Sequence, residues 1–151
     1  MGLFKLSYFC GKSEIVQRVV GLDIGTKRTG IALGYPSIGI ASGFTAVASN
    51  QLLDTLKRLH QEDPFTLVVI GKPLQMSGEA SESAPFIEKK ARAIQSELKL
   101  PVQWQDERFT SKMASQALVA MNAKKSIRQS RAVIDEVSAT LILQSFFDKV
   151  I

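Results

Sequence analysis

The spacing of apolar residues changes several times along the chain, and each change marks a different predicted element. Residues 19–24 and 66–70 are short, β-branched apolar runs, as in strands buried on both faces. Short links join the first run to apolar segments at residues 29–36 and 38–47, which predicts three antiparallel strands in succession. A segment with helical spacing precedes the run at 66–70, so we expect a crossover between parallel strands.

Four segments of the chain have helical spacing. Asn50 is predicted to cap the first helix, which ends at residues 63–64. After the strand at 66–70, the pattern predicts a helix at residues 80–99 and a strand at 100–105. Two more helices follow, at about 110–121 and from 127 or 130 to the end. We therefore expect an α/β fold whose mixed sheet has about five strands, three antiparallel and then two parallel.

One acid interrupts the first buried run. Asp23 lies among Val19, Val20, Leu22 and Ile24, where an ionised carboxylate is costly unless donors or a cation compensate it. Three interpretations are open: a structural carboxylate bonded to turn amides, a metal ligand, or part of the phosphate-binding turn of an actin-like or sugar-kinase-like ATPase. The first motif of such ATPases also has the form DxGTxxxG, so the motif alone does not choose among them.

The length of the chain limits these choices. With 151 residues there is room for one domain with a sizeable core, whereas an actin-like ATPase closes two lobes over its nucleotide. We expect residues 18–151 to form this single domain and residues 1–17 to be a mobile extension outside it. Because Cys10 is the only cysteine and the first residues do not resemble a signal peptide, we expect a cytoplasmic protein without a membrane segment.

The charge of the chain favours a polyanionic partner. Nineteen Lys and Arg residues against fourteen Asp and Glu residues give a formal net charge of +5. Lys124, Lys125, Arg128 and Arg131 fall within eight residues that contain no acid. Either a solvated loop or a nucleic-acid contact explains this basic run equally well.

Two further acids lie next to predicted apolar segments, one after a strand and one on a helix. Glu107 follows the strand at 100–105, and Asp135 heads an otherwise apolar row on the last helix. If Asp23, Glu107 and Asp135 converge, their mutual repulsion calls for a divalent cation. Oxygen ligands suit Mg²⁺ or Mn²⁺, and phosphodiester hydrolysis is the chemistry that such a site supports.

Four segments in order, residues 21–32, 69–78, 106–111 and 134–144, resemble the YqgF (RuvX) family. The resemblance runs from about residue 18 to the C-terminus. It implies an RNase H-like fold with helices on both faces of the sheet, and a Holliday-junction-resolvase-type nuclease associated with maturation of the 5′ end of pre-16S ribosomal RNA. By correspondence, Asp23, Glu107 and Asp135 are the acidic site, and Lys27, Arg28 and Arg108 are the basic residues near it.

The same resemblance identifies the loop after residue 70 and shows where this sequence departs from the family. Gly71, Pro73, Leu74, Met76 and Gly78 match the family's loop. The family usually has an apolar residue at the position of Lys72, an Asn at the position of Gln75 and an Asp at that of Ser77, so the departures concern the loop's substrate contacts.

The sequence thus predicts a metal-dependent nuclease that acts on structured RNA as a monomer or weak homodimer. Its predicted nucleic-acid-binding residues are Lys27, Arg28, Lys72, Arg108, Lys124, Lys125, Arg128 and Arg131. Two alternatives remain open: the same chemistry on branched DNA, and a non-catalytic RNA-binding or transcription-associated factor with the same fold.

Overall fold

The protein is represented by a computed structural model, which describes residues 17–72, 84–106, 119–120 and 130–150. The elements in chain order are β1 (Arg18–Ile24), β2 (Arg28–Tyr35), β3 (Ile40–Ala48), a 3-10 turn (Ser49–Gln51), α1 (Leu52–Glu62), β4 (Phe65–Lys72), α2 (Ala84–Leu98), β5 (Val102–Asp106) and α3 (Arg131–Val150).

These strands form one sheet in the order β3-β2-β1-β4-β5. β1 pairs antiparallel with β2, and β2 antiparallel with β3, whereas β1–β4 and β4–β5 are parallel pairs. The predicted mixed sheet, three antiparallel strands followed by two parallel ones, is therefore confirmed. As expected for a parallel arrangement, the chain returns to β4 through α1, and α2 precedes β5.

The sheet separates two hydrophobic cores. Val20, Leu22 and Ile24 of β1 belong to the core that includes apolar side chains of α1 and α2. Val19 belongs to the other core, with Ala139, Ile142, Leu143, Phe146 and Phe147 of α3. Since side chains alternate along a strand, Asp23 lies on the α3 face of β1. Helices thus cover both faces, as the resemblance implied.

α3 packs very close to the sheet because glycines line its path. A Cβ on Gly21 would lie 2.7 Å from Leu143 Cβ, and a Cβ on Gly30 would lie 1.9 Å from the carbonyl oxygen of Asp135. Real Cβ atoms do not come within 3.0 Å of another heavy atom in this way. The glycines of β1 and β2 therefore determine how closely α3 approaches the sheet.

Some predicted boundaries are wrong, for local reasons. β3 begins at Ile40 rather than at 38, because Tyr35 O accepts from the amides of Ile38 and Gly39 in a turn where Gly39 has a φ of 77°. Asn50 does not cap α1: it lies inside the 3-10 turn, and no side chain caps α1. The helix does end before Asp63, as predicted.

Other predicted features fall partly or wholly outside the described residues. These are the extension at 1–16, the loop residues 73–78, and most of the helix at 110–121. Gln17, which the sequence assigned to the extension, is buried. In the part of the chain that the structure describes, no helix is both long and apolar enough to cross a membrane.

Candidate active site

Asp23 lies near the carboxyl end of β1, with its side chain half-buried on the α3 face of the sheet. It pairs across the antiparallel ladder with Gly30 of β2. The adjacent pair, Ile24 with Thr29, is the last before the β1–β2 turn. Asp23 is therefore held on a rigid strand at the edge of the sheet where β1 ends.

Asp135 approaches the same place from α3. It lies in the first turns of the helix, with its side chain 25% exposed. Its carbonyl oxygen is the atom nearest to a Cβ built on Gly30, and Gly30 is the ladder partner of Asp23. The first turns of α3 thus lie over the sheet beside Asp23, and the structure brings the two predicted acids to one face and one end of the sheet.

Arg28 supplies positive charge to this acid pair. Its Nε donates to Asp135 Oδ2 at 3.1 Å, and the two side chains are 36% and 25% exposed. Because both are partly solvated, the free energy of this ion pair is small, of the order of 0–1 kcal/mol. The contact orients the Asp135 carboxylate more than it stabilises the fold.

The turn between β1 and β2 carries Lys27, which is exposed. The turn closes through a hydrogen bond from Gly25 N to Arg28 O at 2.9 Å. Ser49, which directly follows β3 and is 1% exposed, fixes the turn from the side. Its Oγ donates to Gly25 O at 2.5 Å, and its backbone N donates to Lys27 O at 2.9 Å.

Two more contacts extend this arrangement around Ser49. Its hydroxyl lies 2.9 Å from Thr29 Oγ1, and its carbonyl oxygen accepts from Lys90 Nζ at 3.1 Å. Sequence reasoning missed Ser49. The sequence near Ser49 shows only a serine directly after a predicted strand. Polar residues are common at strand ends, so this position did not indicate a role in the site.

Lys72 lies on the opposite face of the sheet from Asp23. It ends β4, where alternation from Val68 and Ile70 places its side chain on the α2 side. There it lines a cavity of about 340 Å³ with Glu88, Arg92, Trp104 and neighbouring apolar side chains of α2 and β5. The structure therefore separates Lys72 from the acid pair by the thickness of the sheet.

Of the remaining predicted site residues, the structure describes Arg131. Arg131 begins α3 and is exposed. Those outside the described residues are Glu107, Arg108, Lys124, Lys125 and Arg128. Gln105, near the end of β5, is buried, and its strand neighbours Val102 and Trp104 pack against the core with α2. Gln105 consequently lies on the face that also carries Asp23 and Asp135.

Asp23 and Asp135 offer carboxylate oxygens as possible metal ligands. In residues 17–72, 84–106, 119–120 and 130–150, no three Asp, Glu, His or Cys side chains are grouped closely enough to hold a metal ion. Two carboxylates on one face are nevertheless the donor type that Mg²⁺ and Mn²⁺ prefer. The described residues therefore fit part of a hard-cation site.

The sheet order, the strand directions and the helices on both faces define an RNase H-like fold, and two solved structures share this architecture. Thermus thermophilus RuvC bound to a Holliday junction aligns with a TM-score of 0.53 and 11% identity, covering 88% of this chain and 94% of that chain. Fowlpox virus resolvase aligns with a TM-score of 0.54 and 11% identity, covering 89% and 99%. At these identities the likeness is one of fold.

The chain belongs to the RuvX family, described as a Holliday junction resolvase family, whose profile matches residues 17–149. A Bacteroides fragilis relative is 40% identical over 134 residues, which cover 88% of this chain and 97% of the relative. A Porphyromonas gingivalis relative is 40% identical over 135 residues, covering 87% and 96%. Both relatives carry the name "Putative pre-16S rRNA nuclease".

Proposed function

We propose that this protein is a cytoplasmic, metal-dependent endonuclease that hydrolyses phosphodiester bonds at the 5′ end of pre-16S ribosomal RNA. The observation that carries the proposal is the position of Asp23 and Asp135 on one face of the sheet. Gly30 pairs with Asp23 in the β1–β2 ladder, and the backbone of α3 at Asp135 packs directly against it. Membership of a nuclease family and the names of the relatives support the same reaction.

Asp23, Asp135 and Glu107 are the residues that would hold the metal. Glu107 directly follows β5 in the sequence and lies outside the described residues, so its assignment rests on its correspondence with the family's acidic site. When bound, Mg²⁺ or Mn²⁺ would supply an activated water and stabilise the leaving oxygen. The carboxylates offer the oxygen ligands that these ions prefer.

Basic residues around the acid pair would bind the RNA backbone. Lys27 is exposed on a turn fixed by Ser49, and Arg28 orients the Asp135 carboxylate while 36% of its own side chain remains exposed. Contacts of this kind contribute affinity that falls as salt rises, without reading the sequence. The proposed set also includes Arg108, Lys124, Lys125, Arg128 and Arg131. Lys72, which the sequence added to this set, lies on the opposite face of the sheet from the acid pair, so it would contact the RNA only away from these carboxylates.

The test compares the wild type with Asp23→Asn on precursor 16S rRNA and on a four-way DNA junction, each with and without Mg²⁺ or Mn²⁺. We expect Asp23→Asn to abolish RNA cleavage with little change in thermal unfolding, because the isosteric amide keeps the shape of the strand. Asp54→Asn is the control, since Asp54 is exposed in the first turn of α1. Wild-type cleavage by Asp23→Asn would refute the proposal.

Branched DNA is the second candidate substrate, favoured by the family description. Paired cuts at a four-way junction require two sites related by symmetry, so the DNA version needs a dimer. A strictly monomeric protein by sedimentation would count against it. For the RNA reaction, a monomer or a weak homodimer suffices.

Two further interpretations have separate tests. A non-catalytic RNA-binding or transcription-associated factor predicts intact RNA affinity without any Mg²⁺ or Mn²⁺ binding that depends on Asp23 and Asp135. A phosphate-binding turn predicts nucleotide binding at Gly25 and Thr26, and a titration with ATP would detect it.

A further inference from the structure

A buried serine on α3 has no partner for its hydroxyl. Ser138 is 0% exposed, and its Oγ makes no hydrogen bond in the structure as described. An unpaired buried hydroxyl destabilises a fold, and alanine is the better helix former at an internal helical position. Packing of the fold alone therefore gives no reason for a serine here.

The position of Ser138 relates it to the acid pair. It lies one turn after Asp135 and directly before Ala139, whose carbonyl oxygen would be 3.2 Å from a Cβ on Gly21. Gly21 is two residues before Asp23 and lies on the same face of β1. Along α3, Ser138 therefore lies between Asp135 and Ala139. Ala139 is where the helix packs against β1, the strand that carries Asp23.

Helix geometry gives the direction in which Ser138 projects. Glu136 and Thr140 meet Gly43, so they mark the side of α3 that faces β3. At about 100° per residue, Ser138 projects from roughly the opposite side of the helix. That side faces β4 and β5, and Gln105 is buried on the same face of the sheet.

We propose that Ser138 is a positioning residue, whose hydroxyl donates to a carboxylate oxygen of the acid pair when the site binds a divalent cation. In the structure, Asp135 directs its Oδ2 toward Arg28. If Asp23 and Asp135 held a cation together, an oxygen of either carboxylate would be available as the acceptor for the Ser138 hydroxyl. Hydrogen bonds to ligating carboxylates orient them, and their loss weakens metal binding by about 10–100-fold. This inference rests on the proposed function.

The test is Ser138→Ala in the full chain, with Mg²⁺ and Mn²⁺ binding measured by calorimetry and thermal unfolding measured with and without metal. We expect the unfolding midpoint without metal to stay the same or rise, because no hydrogen bond is lost and a helix former is gained. We expect metal affinity to fall about tenfold or more. The metal-induced rise of the midpoint should shrink with it.

Thr140→Val is the matched control on the same helix. The Thr140 hydroxyl donates to Glu136 O at 2.9 Å, one turn back, so its loss should leave metal affinity unchanged. If Ser138→Ala lowers the midpoint without metal and leaves metal affinity intact, the hydroxyl serves the helix and the proposal is wrong. If the wild type binds neither ion, the proposed metal-dependent function fails as well.

Discussion

Replacing Gly30 by alanine should displace the first turns of α3. The added Cβ would lie 1.9 Å from Asp135 O and 2.3 Å from Asp135 C, both backbone atoms. Since real Cβ atoms stay at least 3.0 Å from such neighbours, helix and strand must separate by about 1.1 Å, the difference between 3.0 and 1.9. Overpacking of this kind destabilises a fold by about 1–3 kcal/mol.

The displacement should reduce activity as well as stability. Asp135 moves with the backbone of α3, whereas Asp23 stays with β1, so the distance between the two acids changes directly. A misplacement of about 1 Å reduces catalysis by roughly 100-fold. We therefore expect Gly30→Ala to lower kcat/KM for RNA cleavage about 100-fold, and to lower the free energy of unfolding in urea by about 1–3 kcal/mol.

Gly43→Ala is the matched control. Gly43 also lies beneath α3, but a Cβ there would meet side-chain atoms, Glu136 Oε1 at 2.7 Å and Glu136 Cγ at 2.9 Å. A flexible glutamate can turn away without moving the helix, so activity should change little. Wild-type cleavage by Gly30→Ala, or an equal loss in Gly43→Ala, would refute the idea that α3 positions Asp135 through this contact.

Two further substitutions test the surroundings of the site. Ser49→Ala removes the buried hydroxyl that contacts Gly25 O and Thr29 Oγ1, while its backbone bond to Lys27 O remains. We expect unfolding in urea to show a loss of about 1–3 kcal/mol, and cleavage assays a raised KM, because the turn that carries Lys27 is held by fewer bonds. Arg18→Met removes the guanidinium that donates to Leu59 O at 2.9 Å and to Asp63 O at the end of α1. Here we expect a loss of about 1.5–3 kcal/mol with metal binding intact, and unchanged stability would show that these bonds contribute nothing.

The sequence determined the elements because their signal is local. Apolar spacing predicted the strands and the helices that the structure describes, since each must bury its own apolar face. The short links and the helical crossover between the strands predicted the mixed sheet. The same reasoning singled out Asp23, because an acid within a buried run conflicts with its neighbours. Asn50 shows the limit: its side chain suits a helix cap, but the connection after β3 forms a 3-10 turn instead.

The tertiary structure decided which distant residues meet. Three features depend on how separate elements pack. α3 crosses the sheet at Gly30, and Ser49 holds the turn that bears Lys27. Lys72 lies on the opposite face of the sheet from Asp23. Apolar spacing specifies which face of an element is buried, but not against which partner or at what depth. The close approach of α3 needs glycines on two strands at once, and this condition appears only when strands and helix are assembled.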